Sequence, residues 1–135
     1  MKNILIAGGA GYIGSNVAEL LIKNKYNIFI IDNLSTGFKK LINKKSKFLK
    51  IDLKEKNKVR NLINNYNIDS IIHLAALLDV NESQKKPKKY LQNNVIGTKN
   101  LVNACINSSV KNFIFSSTAA VYKDGNYKVN EQSPV

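Results

Sequence analysis

The sequence predicts an α/β fold built on a doubly wound parallel sheet. Short apolar runs alternate with stretches of helical periodicity along the 135 residues. Runs such as Ile71-Ile72 and Phe113-Ile114-Phe115 are continuous, which suits strands that are covered on both faces of a sheet. A glycine-rich turn joins the first apolar run to the first helical stretch. Together these observations favour a chain of strand–helix–strand units.

Five strands and three main helices are expected. The strands are predicted at 3–7, 28–32, 47–51, 70–74 and 112–116. The helices are predicted at 12–24, 55–66 and 88–108, and a short helical turn at 38–43. Since right-handed crossovers join such strands in parallel, the expected strand order is 3-2-1-4-5. A ligand then belongs at the carboxyl ends of the strands, near the point where the order reverses.

The glycine-rich turn predicts a dinucleotide site. The run Gly8-Gly9-Ala10-Gly11-Tyr12-Ile13-Gly14 fits two spacings, GxGxxG from Gly9 and GxxGxxG from Gly8. Glycines allow a sharp turn and a close approach of pyrophosphate to the backbone, while the helix N-terminus offers N–H groups to phosphates. Gly14 lies one turn into the helix, where a missing side chain allows tight packing on the sheet. The alternative is a tight turn without a ligand.

Asp32 ends the second predicted strand, and the type of cofactor depends on it. A carboxylate there can accept hydrogen bonds from both ribose hydroxyls and would repel a 2′-phosphate, which favours NAD over NADP. Its distance from the glycines matches the expected spacing of about 20 residues. Alternatively, Asp32 only caps the turn that begins at Asn33.

Other candidate residues also stand at strand ends. Asp52, followed by Leu53, can accept a hydrogen bond from an adenine amino group or cap the next helix. The small residues of Leu74-Ala75-Ala76-Leu77 leave room for a cofactor against the backbone. His73 is expected to be a packed core histidine rather than a base. A hydroxyl of Ser116-Ser117-Thr118 can bind a reacting alcohol or carbonyl, or else cap a turn.

The net charge of +12 does not by itself indicate a nucleic-acid partner. Arg60 is the only arginine, and the lysines are scattered along the chain. Nucleic-acid sites favour arginine for bidentate contacts and aromatic side chains for stacking. The sequence therefore predicts no nucleic-acid partner, and at most electrostatic steering of an anionic small molecule.

The length and the apolar content of the sequence limit the classes of protein to which it can belong. One domain over 1–135 is expected. No apolar stretch is long enough to span a membrane, and the chain enters its first strand without a signal peptide. The single Cys105 cannot form an internal disulfide and is expected to be a small buried apolar residue. A cytoplasmic location without membrane partners is predicted, and no metal site.

Five segments together resemble the extended short-chain dehydrogenase/reductase family, in its NAD-dependent epimerase/dehydratase branch. Besides the glycine run, these are Asp32-Asn33-Leu34-Ser35-Thr36-Gly37, His73-Leu74-Ala75-Ala76, the loop and helix from Glu82-Ser83 through Pro87 and Tyr90 to Asn93-Asn94-Val95-Ile96-Gly97-Thr98, and the stretch from Lys111 to Tyr122. The resemblance covers the whole chain. It implies a Rossmann fold and a bound NAD.

The resemblance also implies roles for individual residues. Gly8, Gly11 and Gly14, with Tyr12 and Ile13, would lie along the pyrophosphate. The adenosine ribose would be held by Asp32, Asn33, Leu34, Ser35, Thr36 and Gly37, and the adenine flanked by Asp52 and Leu53. The nicotinamide side would be lined by Leu74, Ala75, Ala76 and Leu77, and Asn93 would tie the following helix to the cofactor. Thr118 would stand at the position of the catalytic hydroxyl.

The activity that the resemblance implies is epimerisation of a UDP-hexose at C4, which interconverts UDP-glucose and UDP-galactose. A hydride passes from the sugar to NAD and returns to the other face, while a tyrosine helped by a lysine four residues later acts as base. None of the six tyrosines has a lysine at that spacing. The sequence is therefore expected to be an N-terminal part without the substrate domain, inactive alone, from an enzyme that forms homodimers.

Two alternatives remain open at this point. One is another nucleotide-sugar enzyme of the same family, such as a dehydratase, a decarboxylase or a different epimerase. The other is a non-catalytic NAD-binding module. The residues that select the sugar are not identified in this sequence.

Overall fold

The computed structural model describes residues 1–118, 121–123, 125 and 128–135. Its described strands form one parallel sheet in the order β3-β2-β1-β4-β5. Their bounds are β1 Asn3–Ala7, β2 Asn27–Asp32, β3 Lys47–Lys50, β4 Ser70–His73 and β5 Asn112–Phe115. The predicted fold class and strand order are confirmed.

The helices match the prediction on the first half of the chain and differ on the second. Their bounds are α1 Tyr12–Lys23, a 3₁₀ turn Lys39–Leu41, α2 Lys56–Asn65, α3 Val80–Lys85, α4 Pro87–Tyr90, a π-helical segment Leu91–Ile96 and α5 Gly97–Cys105. The predicted single helix over 88–108 is thus α4, the π-helical segment and α5 in continuous succession. It ends at Cys105 because Ile106 is extended and Asn107 has a positive φ of 59°.

The helix α3 was not predicted. Its N-cap is Asp79, whose Oδ1 accepts a hydrogen bond from the Glu82 backbone N–H at 2.8 Å. The Asp-x-x-Glu spacing is a helix-start signal that the sequence carries. Non-helical backbone at Lys86, the residue before Pro87, separates α3 from α4 (φ −131°, ψ 56°).

The centre of the sheet is covered on both faces, as the continuous apolar strands predicted, but this prediction is wrong for the run Phe113-Ile114-Phe115, because β5 is largely exposed. Leu5 and Ala7 of β1 face a cluster that includes Val59 and Ile63 of α2 and Leu101 of α5. Alternate residues of the same strand face α1. Because successive side chains of a strand point to opposite faces, one apolar run serves both layers. This arrangement leaves the carboxyl ends of the strands free for a ligand.

The two edge strands differ in character. The edge strand β3 begins and ends with the exposed lysines Lys47 and Lys50, which discourage pairing with another chain. The other edge strand, β5, exposes 57% of Ile114 and 58% of Phe115.

Across the described residues, no helix has the length and apolar character needed to cross a bilayer.

Candidate cofactor site

A cleft of about 390 Å³ opens at the carboxyl ends of the strands, where the sequence predicted a ligand. The predicted binding residues line it, except Leu34 and Asp52. The lining residues are Gly8, Gly11, Tyr12, Ile13, Gly14, Ile31, Asp32, Asn33, Ser35, Thr36, Gly37, Ile51, Leu53, Leu74, Ala75, Ala76, Leu77, Leu78 and Asn93. Segments far apart in sequence therefore meet at one place.

Three glycines of the turn are crowded by the protein's own packing: Gly8, Gly14 and Gly9, where a Cβ would lie 2.6 Å from the Ile30 side chain. Gly8 has a φ of +85°, and a Cβ there would lie 2.7 Å from the Ala75 backbone nitrogen. A Cβ on Gly14 would overlap the Gly8 carbonyl oxygen. Gly14 therefore lets the helix pack on the turn itself, rather than on the sheet as expected. The positive φ at Gly8 favours the GxxGxxG spacing.

Gly11 is different because the protein does not crowd it. Among the described residues, a Cβ built there would meet only the Gly8 carbonyl oxygen, at an ordinary contact distance of 3.4 Å. Gly11 is also the N-cap of α1, so no side chain caps this helix, and its first turn holds no acidic residue. The free N–H groups and partial positive charge of the helix N-terminus face the cleft and suit a phosphate group.

The Asp32 carboxylate is held by the backbone on both sides. Its Oδ2 accepts a hydrogen bond from the Ala10 N–H at 3.1 Å, and its Oδ1 accepts one from the Leu34 N–H at 2.8 Å. Asp32 thus caps the following turn and also borders the cleft, so the two sequence interpretations are compatible. Since a carboxylate has about four acceptor sites, it retains capacity for two hydroxyl groups.

The loop after β2 closes on the glycine turn. The Phe38 N–H donates to the Ala10 carbonyl at 3.0 Å, and a Cβ on Gly37 would lie 2.8 Å from the Ala10 Cβ. Ala10 is therefore bonded through its N–H to the end of β2 and through its carbonyl to the loop that follows. Leu34 lies outside the cleft lining but contributes its N–H to Asp32. The two loops together form one wall of the cleft.

Asp52 supports the cleft from behind instead of lining it. It accepts hydrogen bonds from the Asn33 side-chain amide at 3.0 Å and from the Lys54 N–H at 2.9 Å. Partial burial raises the pKa of Asp52, but these bonds and the Lys54 charge outweigh it, so the pKa lies below its ordinary value. The N-cap of α2 is Glu55, so the alternative in which Asp52 caps that helix does not hold.

The loop after β4 forms the opposite wall. Its backbone at Ala75 packs against Gly8. Leu77 is held by the side-chain amide of Asn94, which accepts from the Leu77 N–H at 2.9 Å and donates to its carbonyl at 3.0 Å. Asn93, beside it on the π-helical segment, lines the cleft and donates to Asn94 Oδ1 at 2.9 Å.

His73 is a packed histidine, as expected. It is 2% exposed, and its Nε2 lies 2.7 Å from the Thr98 hydroxyl. Burial lowers the pKa of His73, which favours the neutral ring. It does not line the cleft.

Thr118, the predicted catalytic hydroxyl, lies three residues beyond β5. Its carbonyl accepts a hydrogen bond from the Val121 N–H at 3.3 Å. It belongs to the carboxyl edge of the sheet but is not part of the cleft lining. Ala119 and Ala120 of the same sequence motif lie outside the described residues.

Sequence reasoning missed three lining residues and one supporting residue. Ile31 and Ile51 are apolar strand-end residues, and Leu78 follows the predicted run 74–77 directly. Asn94 was part of the resemblance but received no role. The signal for Ile31 and Ile51 was available, since each immediately precedes an aspartate that was singled out.

Residues 4–135 match the model of the NAD dependent epimerase/dehydratase family. A UDP-glucose 4-epimerase of Lactobacillus helveticus is 40% identical over 119 residues, which are 88% of this chain and 36% of that protein. The chain therefore spans about a third of the length of that relative.

Solved structures of similar proteins share the fold. The UDP-Glc/GlcNAc 4-epimerase of Campylobacter jejuni has a TM-score of 0.89 and 41% identity, over 99% of this chain and 43% of the other. The UDP-glucose 4-epimerase of Brucella ovis, solved in complex with NAD, has a TM-score of 0.89 and 36% identity, over 99% of this chain and 41% of the other.

Proposed function

The chain belongs to the NAD dependent epimerase/dehydratase family, and from this premise we propose that residues 1–135 form the NAD-binding domain of a UDP-sugar 4-epimerase. The observation that carries the proposal is the cleft in which Gly11 leaves space at an uncapped helix N-terminus while Asp32 stands beside the same turn, at the end of β2. These are the two features that a dinucleotide needs, one for its pyrophosphate and one for a ribose.

In this proposal the pyrophosphate lies at the N-terminus of α1. Tyr12 and Ile13 supply backbone N–H groups there, and Gly11 leaves the space for close approach. The helix has twelve residues, so its macrodipole favours a negative charge at this end. Tyr12 is 81% exposed and Ile13 59% exposed, so both are accessible to a ligand.

The adenosine half lies between the loop after β2 and the residues after β3. Asp32 accepts from the ribose hydroxyls, and Ser35, Thr36 and Gly37 surround the ribose. Leu53 borders the adenine, whereas Asp52 orients Asn33 through their hydrogen bond. The negative charge of Asp32 disfavours a 2′-phosphate, which supports NAD over NADP as cofactor.

The nicotinamide half lies toward Leu74, Ala75, Ala76 and Leu77, with Asn93 above it. When bound, NAD would supply a reversible hydride acceptor for the sugar carbon. The small side chains of Ala75 and Ala76 leave the backbone accessible on this side of the cleft. The chain's own contribution is to bind and orient the cofactor.

The proposed catalytic residue of this chain is Thr118, whose hydroxyl would hydrogen-bond the reacting sugar oxygen. A base of the tyrosine–lysine type is required as well, and no tyrosine in the sequence has a lysine four residues later. We therefore expect no conversion of UDP-galactose by the 135-residue chain alone. A UDP-sugar substrate is supported by an epimerase of Thermotoga maritima, 35% identical, solved with UDP-glucose.

The helix over 87–105 is the proposed homodimer surface of the whole enzyme. Its solvent side exposes about half of Leu91 and Val95 and 44% of Val102. Their spacing places them on one side of the continuous helix. Sedimentation of the chain at increasing concentration tests this, since a dimer contact predicts a rising sedimentation coefficient and a constant coefficient would contradict it.

Thermal unfolding with each cofactor tests the proposed function. A ligand that binds only the folded state raises the midpoint by mass action. We expect saturating NAD to raise the midpoint of this chain more than an equal concentration of NADP does. Equal shifts with the two cofactors would contradict the role of Asp32, and no shift with either would contradict the proposed function.

A further inference from the structure

A chain of hydrogen bonds connects the buried end of β4 with the edge of the cleft. His73 Nε2 lies 2.7 Å from Thr98 Oγ1, and this hydroxyl lies 2.6 Å from the Asn94 carbonyl oxygen. The Asn94 side-chain amide in turn holds both the N–H and the carbonyl of Leu77. We name His73, Thr98 and Asn94 the β4 relay.

The direction of each hydrogen bond in the β4 relay follows from the number of protons. The Thr98 hydroxyl has one proton, and the Asn94 carbonyl can only accept, so Thr98 donates to Asn94. Thr98 must then accept from His73, which carries its proton on Nε2. His73 Nδ1 is buried and has no hydrogen-bond partner among the described residues, so it is the unprotonated nitrogen.

Burial keeps this tautomer in place. A second proton on His73 would put an N–H donor at Nδ1, where the described residues offer no acceptor. His73 is 2% exposed and packs against Phe113 and Phe115, with ring centroids at 6.3 and 5.5 Å. An unsatisfied buried charge of this kind is costly, which favours the neutral ring with its proton on Nε2.

The β4 relay acts on a helix segment of unusual geometry. Asn94 belongs to the π-helical segment, where the Gly97 N–H donates to the carbonyl five residues earlier, at Gln92. A threonine hydroxyl that bonds the carbonyl four residues before it perturbs a helix locally. Single π-helical turns within α-helices frequently occur at functional sites. Here the segment carries both Asn93, which lines the cleft, and Asn94.

We propose that His73 and Thr98 are positioning residues of the cofactor site. Their hydrogen bond holds the π-helical segment, so that Asn94 holds the Leu77 backbone and Asn93 faces the cleft. Neither His73 nor Thr98 lines the cleft, so they act through the two asparagines. This inference rests on the proposed function, because the loop that they position borders the proposed nicotinamide side.

Two substitutions of Thr98 separate positioning from general stability. Thr98→Val removes the hydroxyl at nearly constant size, and Thr98→Ser retains it. The matched control is Ser109→Ala, which removes a hydroxyl bonded at 2.8 Å to the Ile68 carbonyl, on the side of the sheet away from the cleft. All variants are compared with the unchanged 135-residue chain, well below their unfolding midpoints.

The first readout is hydrogen exchange of the Leu77 amide in the absence of cofactor. This N–H is bonded to Asn94 Oδ1, so its exchange reports on the loop directly. We expect Thr98→Val to accelerate exchange about threefold to tenfold, the equivalent of one net hydrogen bond. We expect Thr98→Ser and Ser109→Ala to leave the exchange rate of the Leu77 amide unchanged once any change in the global free energy of unfolding is taken into account.

The second readout is NAD affinity by calorimetry. We expect Thr98→Val to weaken NAD binding about threefold to tenfold and Thr98→Ser to restore it. His73→Leu provides a second removal of the same bond if Thr98→Val does not fold, and His73→Gln retains an N–H donor. The ¹⁵N shifts of His73 are expected to show the proton on Nε2.

The outcomes distinguish this inference from the proposed function. Unchanged Leu77 exchange in both Thr98→Val and His73→Leu overturns the positioning role, whatever the NAD affinity. A loss of NAD affinity that Ser109→Ala reproduces also overturns it. An unchanged chain that binds no NAD overturns the proposed function, while Leu77 exchange still decides whether the β4 relay holds the loop.

Discussion

The Asp32 carboxylate accepts a hydrogen bond from the backbone N–H of Ala10, 22 residues earlier, at 3.1 Å. This bond joins the residue proposed to select the cofactor to the turn proposed to bind its phosphates. The two halves of the proposed site are therefore placed relative to each other by the protein itself, before any ligand binds. Such preorganisation lowers the cost of binding.

Removing the charge of Asp32 is expected to change cofactor selectivity. Asp32→Asn keeps one acceptor oxygen but loses the charge-assisted bonds to the ribose, so NAD affinity falls about tenfold to a hundredfold. The repulsion of a 2′-phosphate is lost as well, so the ratio of NAD to NADP affinity decreases. Calorimetric titration with both cofactors measures this.

The matched control is Asp69→Asn. Asp69 accepts a hydrogen bond from the Asn3 N–H at 2.7 Å, at the amino end of β1. Like Asp32, Asp69 accepts a backbone hydrogen bond, but it lies away from the cleft, so this substitution removes a comparable carboxylate outside the proposed site. If both variants changed the NAD to NADP ratio equally, the selectivity assigned to Asp32 would be wrong.

Gly14→Ala is expected to reduce the stability of the chain, whereas Gly11→Ala is expected to reduce its binding of NAD. A Cβ at Gly14 overlaps the Gly8 carbonyl oxygen, so Gly14→Ala lowers the free energy of unfolding by about 1–3 kcal/mol. A Cβ at Gly11 meets no close atom of the residues that the structure describes, and the Gly11 φ of −81° suits alanine, so Gly11→Ala changes stability little. It nevertheless blocks the approach of pyrophosphate and abolishes NAD binding.

Urea unfolding and NAD titration of the two glycine variants separate the effects. The order of stability should be unchanged chain, Gly11→Ala, then Gly14→Ala. Full NAD affinity in Gly11→Ala would show that the phosphates do not bind at the N-terminus of α1.

Asn100 is expected to stabilise the loop after β3. It is 9% exposed, and its side-chain amide donates to the Leu53 carbonyl at 3.0 Å. Asn100→Ala leaves that buried carbonyl unsatisfied and lowers the free energy of unfolding by about 1–3 kcal/mol. Asn103→Ala makes the same change at an exposed position of α5 and serves as control. Equal unfolding midpoints in urea for the two variants would refute this assignment.

Acid is expected to weaken the contact between α3 and α4. The Glu82 carboxylate accepts from Lys89 at 2.8 and 2.9 Å, from Lys86 at 3.2 Å and from the Tyr90 hydroxyl at 3.2 Å. These bonds, that of Lys89 above all, lower the pKa of Glu82 from 4.5 to about 2. Because the folded-state pKa is the lower one, the stabilisation is complete above pH 4.5 and disappears as the pH falls toward 2.

The difference in unfolding free energy between the unchanged chain and Glu82→Gln isolates this effect. It should be constant above pH 5 and decline between pH 4.5 and 2. A difference that stays constant down to pH 2 would contradict the role of Glu82.

Much of the fold followed from local sequence patterns. The runs around Ile6 and Ile71 are apolar on both faces of the strand, which predicted a parallel sheet covered by helices, and the strand order followed from connection rules. The division of the helix over 87–105 did not follow, because its π-helical segment and the start of α5 make side-chain bonds with distant segments, through Asn94 to Leu77 and through Thr98 to His73. Sequence periodicity carries no record of such bonds.

The sequence predicted which residues belong to the candidate site, but not what each of them does there. Gly11 and Asp32 were identified from spacing, and both border the cleft. Asp52 was identified from its position after the third predicted strand and Leu34 from the resemblance, yet they hold their neighbours instead of lining the cleft. Spacing identifies which strand end a residue occupies, whereas the direction of its side chain depends on hydrogen bonds with residues elsewhere in the chain.

Calorimetric titration of the 135-residue chain with NAD, beside Gly11→Ala and with NADP as the second ligand, tests the central claim most directly. We predict saturable one-to-one binding of NAD, weaker binding of NADP, and no binding of NAD by the Gly11→Ala variant. Absence of NAD binding to the unchanged chain, or equal affinity for the two cofactors, would contradict the account.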